Sequence, residues 1–221
     1  MRPVRRTLRF VRGALLSYGP SFTKRFLWDG EYSQGKWDFI DHTAGDCVYP
    51  YLEKYARGGS ILDLGCGPGN TANELPATAY TSYLGVDISD VCLEKARRRS
   101  EAEGRSDKNA FAHGDLLTYA PSLAYDVILL RESLYHIPMR KIPTTLRRYS
   151  RYLTPDGVFI IRVFTLNHGK ALKRPRAMLD RIEREFVALE RREHTLPGSA
   201  VVILVLGAPK PGSTEDTRGG Q

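Results

Sequence analysis

Apolar residues along the chain fall into short runs separated by polar stretches of helical period. The runs SILDL (60–64), SYLGVD (82–87), a shorter one at 109–112, YDVILL (125–130) and GVFIIRVF (157–164) have the length and composition of strands. Between them, residues 70–75, 89–103 (SDVCLEKARRRSEAE) and 139–153 carry helical character, with Pro76 expected to cut the first of these to little more than a turn. Strands alternating with helices predict a parallel sheet covered by helices on both faces, with ligands bound beyond the carboxyl ends of the strands. After Leu166 the pattern changes. A basic helix around 175–185 precedes FVALERREHT and AVVILVLGAP, and the turn LPGS (196–199) between those two runs predicts an antiparallel hairpin closing the sheet edge.

A chain of 221 residues suits one sizeable domain with short extensions. We divide it into a basic N-terminal arm (1–28), a helical cap or lid (29–56), the main domain (57–206) and a Gly/Pro/Ser-rich tail (207–221) expected to be mobile. Cys47, Cys66 and Cys92 are odd in number and widely spaced, which indicates neither a disulfide framework nor a metal site. No apolar stretch approaches the ~20 residues needed to span a bilayer, and Arg9, Arg12 and the SYGP turn interrupt any secretory leader. The expected location is the cytoplasm.

The net charge of +8 resembles a nucleic-acid signature until it is located, since seven of the cations lie in residues 1–28, which contain no acid. In this arm Val4, Leu8, Val11 and Leu15 follow helical spacing with arginines between them. That pattern suits an anionic membrane surface contacted peripherally, a partner groove or a phosphate-bearing ligand, and equally a short helix packed on the body. Arg140, Lys141, Arg147, Arg148 and Arg151 form a second cluster with no acid between Glu132 and Asp156, a candidate basic patch.

The stretch ILDLGCGPGN (61–70) places Gly65, Gly67 and Gly69 directly behind a strand and ahead of a helix start. Such a turn offers backbone N–H groups and a surface without side chains, as a nucleotide-like ligand requires. The spacing G-x-G-x-G, preceded by Asp63, departs from the G-x-G-x-x-G of dinucleotide sites. It resembles instead the first motif of class I S-adenosylmethionine-dependent methyltransferases, and later segments follow that family's order: YLGVDIS (83–89), AHGDLL (112–117), YDVILLRESLYHI (125–137) and YLTPDGVFII (152–161).

The resemblance implies a Rossmann-like fold with a mostly parallel seven-stranded sheet, helices on both faces and a C-terminal antiparallel hairpin. It implies S-adenosylmethionine as cofactor. Asp87 would hold the ribose hydroxyls, with Ile88 beside it, while Asp115 and Leu116 would flank the adenine. Asp63, Cys66 and Arg131 would belong to the cofactor surroundings, Asp63 as organiser of the glycine loop. Glu132, Tyr135 and His136, after the fourth strand, lie where the family places acceptor-side residues. His136 is a candidate base, and Glu132 a partner for a substrate ammonium or for an arginine. Trp28, Tyr32, Trp37, Phe39 and Tyr49 supply aromatics for a lid, Tyr32 being the residue expected to touch the ligands. The leading expectation is methyl transfer to a nitrogen or oxygen of a small-molecule acceptor. Nucleic-acid methylation is disfavoured because RESL (131–134) replaces an Asn/Asp-Pro-Pro-aromatic motif, and a noncatalytic cofactor-binding module is the third reading.

Overall fold

The computed structural model describes residues 11–41, 43–167 and 170–211. Its strands are β1 (Ser60–Leu64), β2 (Ser82–Asp87), β3 (Asn109–His113), β4 (Tyr125–Arg131), β5 (Leu153–Asn167), β6 (Lys170–Ala171), β7 (Phe186–Leu196) and β8 (Ser199–Pro209). Seven of them form one sheet in the order β3-β2-β1-β4-β5-β8-β7, with β6 pairing the end of β5. The first five are mutually parallel, whereas β8 runs antiparallel to both β5 and β7. Strand order reverses beside β1, so the ends of β1 and β4 flank the crevice in which such sheets take their ligands.

The helices are α1, described over residues 11–18, α2 (Ser21–Ser33), α3 (Tyr49–Ala56), α4 (Asn70–Glu74), α5 (Asp90–Ala102), α6 (Ile142–Ser150) and α7 (Lys173–Glu185). Successive strand residues point to opposite faces, and both faces are covered. Ile128 and Leu130 of β4 join Leu146 of α6 and Met178 and Leu179 of α7 on one side. Val127 and Leu129 join Leu52 and Ala56 of α3 on the other. β8 lies between two strands with residues 200–206 all buried, which is why AVVILVL reads as a continuous apolar run rather than an alternating one.

Several boundaries differ from the sequence expectation. The stretch 139–153 is divided into a 3-10 turn (Met139–Lys141) and α6, because Pro143 cannot continue an upstream α-helix and suits the first turn of a new one. β5 begins at Leu153 rather than at 157: Leu153 pairs with Tyr125 and Val158 with Val127, so the Pro-Gly segment is accommodated as a bulge within the strand. Gly207–Pro209 belong to β8 rather than to the tail, and residues 212–221 lie outside the described region. Helix α2 runs across the 28/29 division between arm and cap, making them one element. Val4 and Leu8 lie outside the described residues, and Val11 and Leu15 are exposed while Leu16 is buried, so the predicted apolar face of the arm is not the one that packs. The second basic cluster is largely engaged: Arg147 pairs with Glu185, and Arg148 donates to the carbonyls of Leu116 and Leu117.

Candidate active site

The chain leaves β1 through three glycines held at positive φ, 83° at Gly65, 54° at Gly67 and 75° at Gly69. Two of them are also pinned by space. A Cβ on Gly65 would come within 2.6 Å of the Ser133 Cβ, and one on Gly69 within 2.8 Å of the Ala96 Cβ. At Gly67 the nearest atom is the Tyr32 hydroxyl, 3.4 Å from where a Cβ would stand. The Gly67 N–H donates to Asp87 Oδ2 at 3.0 Å, and the Ser89 N–H donates to Oδ1 at 3.0 Å. The end of β2 therefore holds the loop through one carboxylate. Burial raises the Asp87 pKa, and these two amides oppose it. Ile88, next in the chain, is buried.

Cys66 is buried with its Sγ against Gly85, whose Cβ would lie 2.8 Å from the sulfur. Burial pushes its thiol well up, so the group packs the loop and presents no thiolate. Asp63 accepts from the Tyr83 hydroxyl at 2.7 Å through Oδ2, and burial carries its carboxyl up to about 6. Its Oδ1 and the Ser133 Oγ are buried polar atoms with no hydrogen-bond partner. Arg131 is turned to the cap: its guanidinium donates to Asp46 Oδ2 at 2.7 Å, and Arg162 Nε donates to the other Asp46 oxygen at 3.0 Å. Glu132 has φ 57°, uncommon outside glycine, and is held by an ion pair with Arg162, so the partner its sequence position left open is an arginine of β5. Burial raises Glu132 against the pull of that arginine.

Helix α2 closes over these groups. Lys24, Trp28 and Tyr32, four residues apart, share one helix face. Buried Lys24 donates to Asp115 Oδ2 at 2.8 Å, as does the Ser21 hydroxyl at 2.9 Å, while Oδ1 accepts from the Leu117 N–H. Burial raises Asp115, but the Lys24 ammonium and these donors outweigh it and hold the carboxyl below its usual range. The neighbouring Leu116 carbonyl accepts from Arg148 and from the Tyr149 hydroxyl. The Trp28 ring stands edge-on to the His136 imidazole with centroids 4.9 Å apart. Burial, with Arg12 and Arg174 nearby, pushes His136 down to about 4, so the imidazole is neutral at physiological pH. The Tyr32 hydroxyl is shifted strongly upward by burial and by the Asp87 charge, and stays protonated. Asp29 accepts from the Ser89 hydroxyl at 2.7 Å, tying α2 to the start of α5.

The structure thus gathers Gly65, Gly67, Gly69, Asp87, Asp115 and His136 about the carboxyl ends of β1, β2, β3 and β4 with Tyr32 of α2 against the loop, and engages Arg131 and Glu132 in ion pairs with Asp46 and Arg162. Ser21 and Lys24 fall in the basic arm and Asp29 in the cap, and the sequence alone does not mark them as site residues. The four-residue repeat Lys24-Trp28-Tyr32 was the available signal.

The sequence matches the family described as "Methyltransferase domain" over residues 30–195. Among curated proteins, the 27-O-demethylrifamycin SV methyltransferase of Amycolatopsis mediterranei is 27% identical over 147 residues, covering 63% of this chain and 53% of that protein. The chain spans about half, or less, of the length of the curated relatives it matches. Among solved structures, the N-methyltransferase NodS of Bradyrhizobium japonicum aligns with TM-score 0.61 at 16% identity, over 79% of this chain and 91% of that one. The magnesium protoporphyrin IX methyltransferase of Synechocystis aligns with TM-score 0.65 at 16% identity, over 86% and 100%. With its motifs in order on a Rossmann-like sheet and a family match across three quarters of its length, the chain belongs to the class I S-adenosylmethionine-dependent methyltransferases.

Proposed function

We propose that the protein transfers a methyl group from S-adenosylmethionine to a nitrogen or oxygen of a small-molecule acceptor. The observation that carries this reading is the Gly67 N–H bound to the Asp87 carboxylate in a loop of three glycines at positive φ. The residues fit the cofactor: the glycine loop meets the Tyr32 hydroxyl at Gly67, and two buried polar atoms, Asp63 Oδ1 and the Oγ of Ser133 packed on Gly65, have no hydrogen-bond partner. Gly65, Gly67 and Gly69 would offer the approach surface, Asp87 would accept from the ribose hydroxyls, and Asp115 and Leu116 would meet the adenine. When bound, S-adenosylmethionine supplies a methyl group on a sulfonium, an electrophile that needs a lone pair aligned behind it more than it needs catalytic groups.

The chain's own residues then hold the acceptor and keep water away. Trp28 and His136 form an apolar, aromatic wall on the acceptor side, and the Tyr32 hydroxyl remains a donor above Gly67. His136, depressed to about 4, is a weak base, so its role here is to position the acceptor rather than to remove its proton. Glu132, committed to Arg162, sets the shape of the loop after β4. The name of the rifamycin relative, a methyltransferase acting on a small molecule, supports the acceptor class. Nucleic acid is disfavoured as substrate because the described arm arginines are engaged, Arg12 with Glu31 and Arg25 with Asp29 and Asp90.

The test is calorimetric titration of the full chain with S-adenosylmethionine and S-adenosylhomocysteine, followed by an acceptor screen of amines, phenols and phosphobases. Binding of both followed by turnover is expected. Absence of binding would sink the proposal, and binding without turnover on any acceptor would favour a noncatalytic module.

A further inference from the structure

The helix that closes the cleft has a second face. Two residues along an α-helix correspond to about 200° of rotation, so Phe22 and Phe26 point away from Lys24 and Trp28. Phe22 is 75% exposed and Phe26 78%, one turn apart on the outside of α2, and Tyr18 in the turn before it is 63% exposed. A lid facing only water gains nothing from two bare phenyl rings in register, whereas an apolar pair of this kind is what an interfacial helix sinks into a lipid headgroup layer. Among the described residues the charge beside it is balanced, Arg25 pairing with Asp29 and Asp90, and the excess of cations lies in the sequence ahead. Arg25 flanks the pair and is itself half exposed, and the chain leading into α1 carries Arg2, Arg5, Arg6 and Arg9 with no acid among the first 28 residues.

We infer that the Phe22–Phe26 face of α2, with the basic segment ahead of it, docks on an anionic lipid bilayer. The contact is peripheral, since no helix among the described residues is long and apolar enough to cross a membrane. Aromatic burial and attraction to acidic headgroups act together, and neither alone suffices for firm binding. A second copy of the chain is a poorer occupant of the face, because two-fold pairing would bring two cationic arms of the same sign together. Docking in this manner sets the outer face of the lid on the membrane and leaves Lys24, Trp28 and Tyr32 on the cleft.

The experiment is co-sedimentation of the full chain with vesicles of phosphatidylcholine alone and of phosphatidylcholine mixed with phosphatidylserine, at low and raised salt. The wild-type chain is expected to partition onto the anionic vesicles about tenfold or more better than onto the neutral ones, less so at raised salt. The double variant Phe22→Ser with Phe26→Ser is expected to lose about tenfold of that partitioning. Its melting temperature and S-adenosylhomocysteine affinity, which do not depend on exposed rings, would stay unchanged. Equal partitioning of variant and wild type, no preference for anionic vesicles, or a solution dimer that the double variant abolishes would each overturn the inference. None of these readouts requires methyl transfer, so the proposed activity and the docking face can fail separately.

Discussion

Asp87 has two duties that a mutation separates only in part. Its carboxylate holds the loop through the Gly67 and Ser89 amides and is the group proposed to receive the ribose hydroxyls. Asp87→Ala should weaken S-adenosylhomocysteine binding by about 1.5–3 kcal/mol, the range for hydrogen bonds to a charged group, as read by calorimetry. Unchanged affinity would remove Asp87 from the site. Gly69→Ala should destabilise the fold by about 1–3 kcal/mol in urea melts, since it combines a left-handed φ with a Cβ 2.8 Å from that of Ala96. His136→Gln should cost less than about tenfold in turnover, whereas loss of a general base would cost about 10²–10⁴-fold. The same variant tests linkage. Native His136 stays neutral down to about 4 while the unfolded imidazole protonates near 6.5, so stability falls as pH drops through that window, by ~3 kcal/mol at its lower end. Asp63, raised to about 6, works in the opposite direction: the unfolded carboxylate ionises first, and stability is lost as pH rises from about 4 to 6. Unfolding free energy measured across this range should therefore slope less steeply toward acid in His136→Gln than in the wild-type chain.

Helix α2 is the element whose meaning changed most between sequence and structure. Its cations were legible as charge, but Lys24 ends up 7% exposed against Asp115, a partner 91 positions away that no local pattern announces. Replacing Lys24 by Met should destabilise the chain by about 1–3 kcal/mol in urea melts, because Asp115 would keep its burial and lose its counter-charge. That loss should be full above the unfolded carboxyl's value and vanish only as pH falls through the depressed value at which native Asp115 protonates, because a carboxyl held low by its partner forfeits its stabilisation there. The strands and α5, by contrast, were readable to within a few residues, since their burial is written in apolar runs and in the Ser89 cap that accepts from the Cys92 N–H. The glycine loop and Asp87 were readable because backbone geometry constrains residue type there. The Arg131–Asp46 and Glu132–Arg162 pairs were not, since either acid could have found several arginines.

At the scale of the molecule, the sheet joins a parallel half, built by short-range strand–helix–strand steps, to an antiparallel half whose pairing spans long stretches of chain. β5 finds β8 only after α7 and β7 have been traversed, with Phe159 opposite Leu206. The buried run of β8 contributes to both faces, so Leu204→Ala should cost about 2–5 kcal/mol in urea melts. A strand made after both of its neighbours yet interior in the sheet imposes an order on assembly. As the polypeptide emerges from the ribosome, β1 to β5 can associate, but the outer edge of β5 stays bare and β7 has nothing to pair with until β8 arrives between them. Sealing of the core therefore awaits synthesis of β8, and a nascent chain halted anywhere before Ser199 offers that open edge to chaperones or to a neighbour of its own kind.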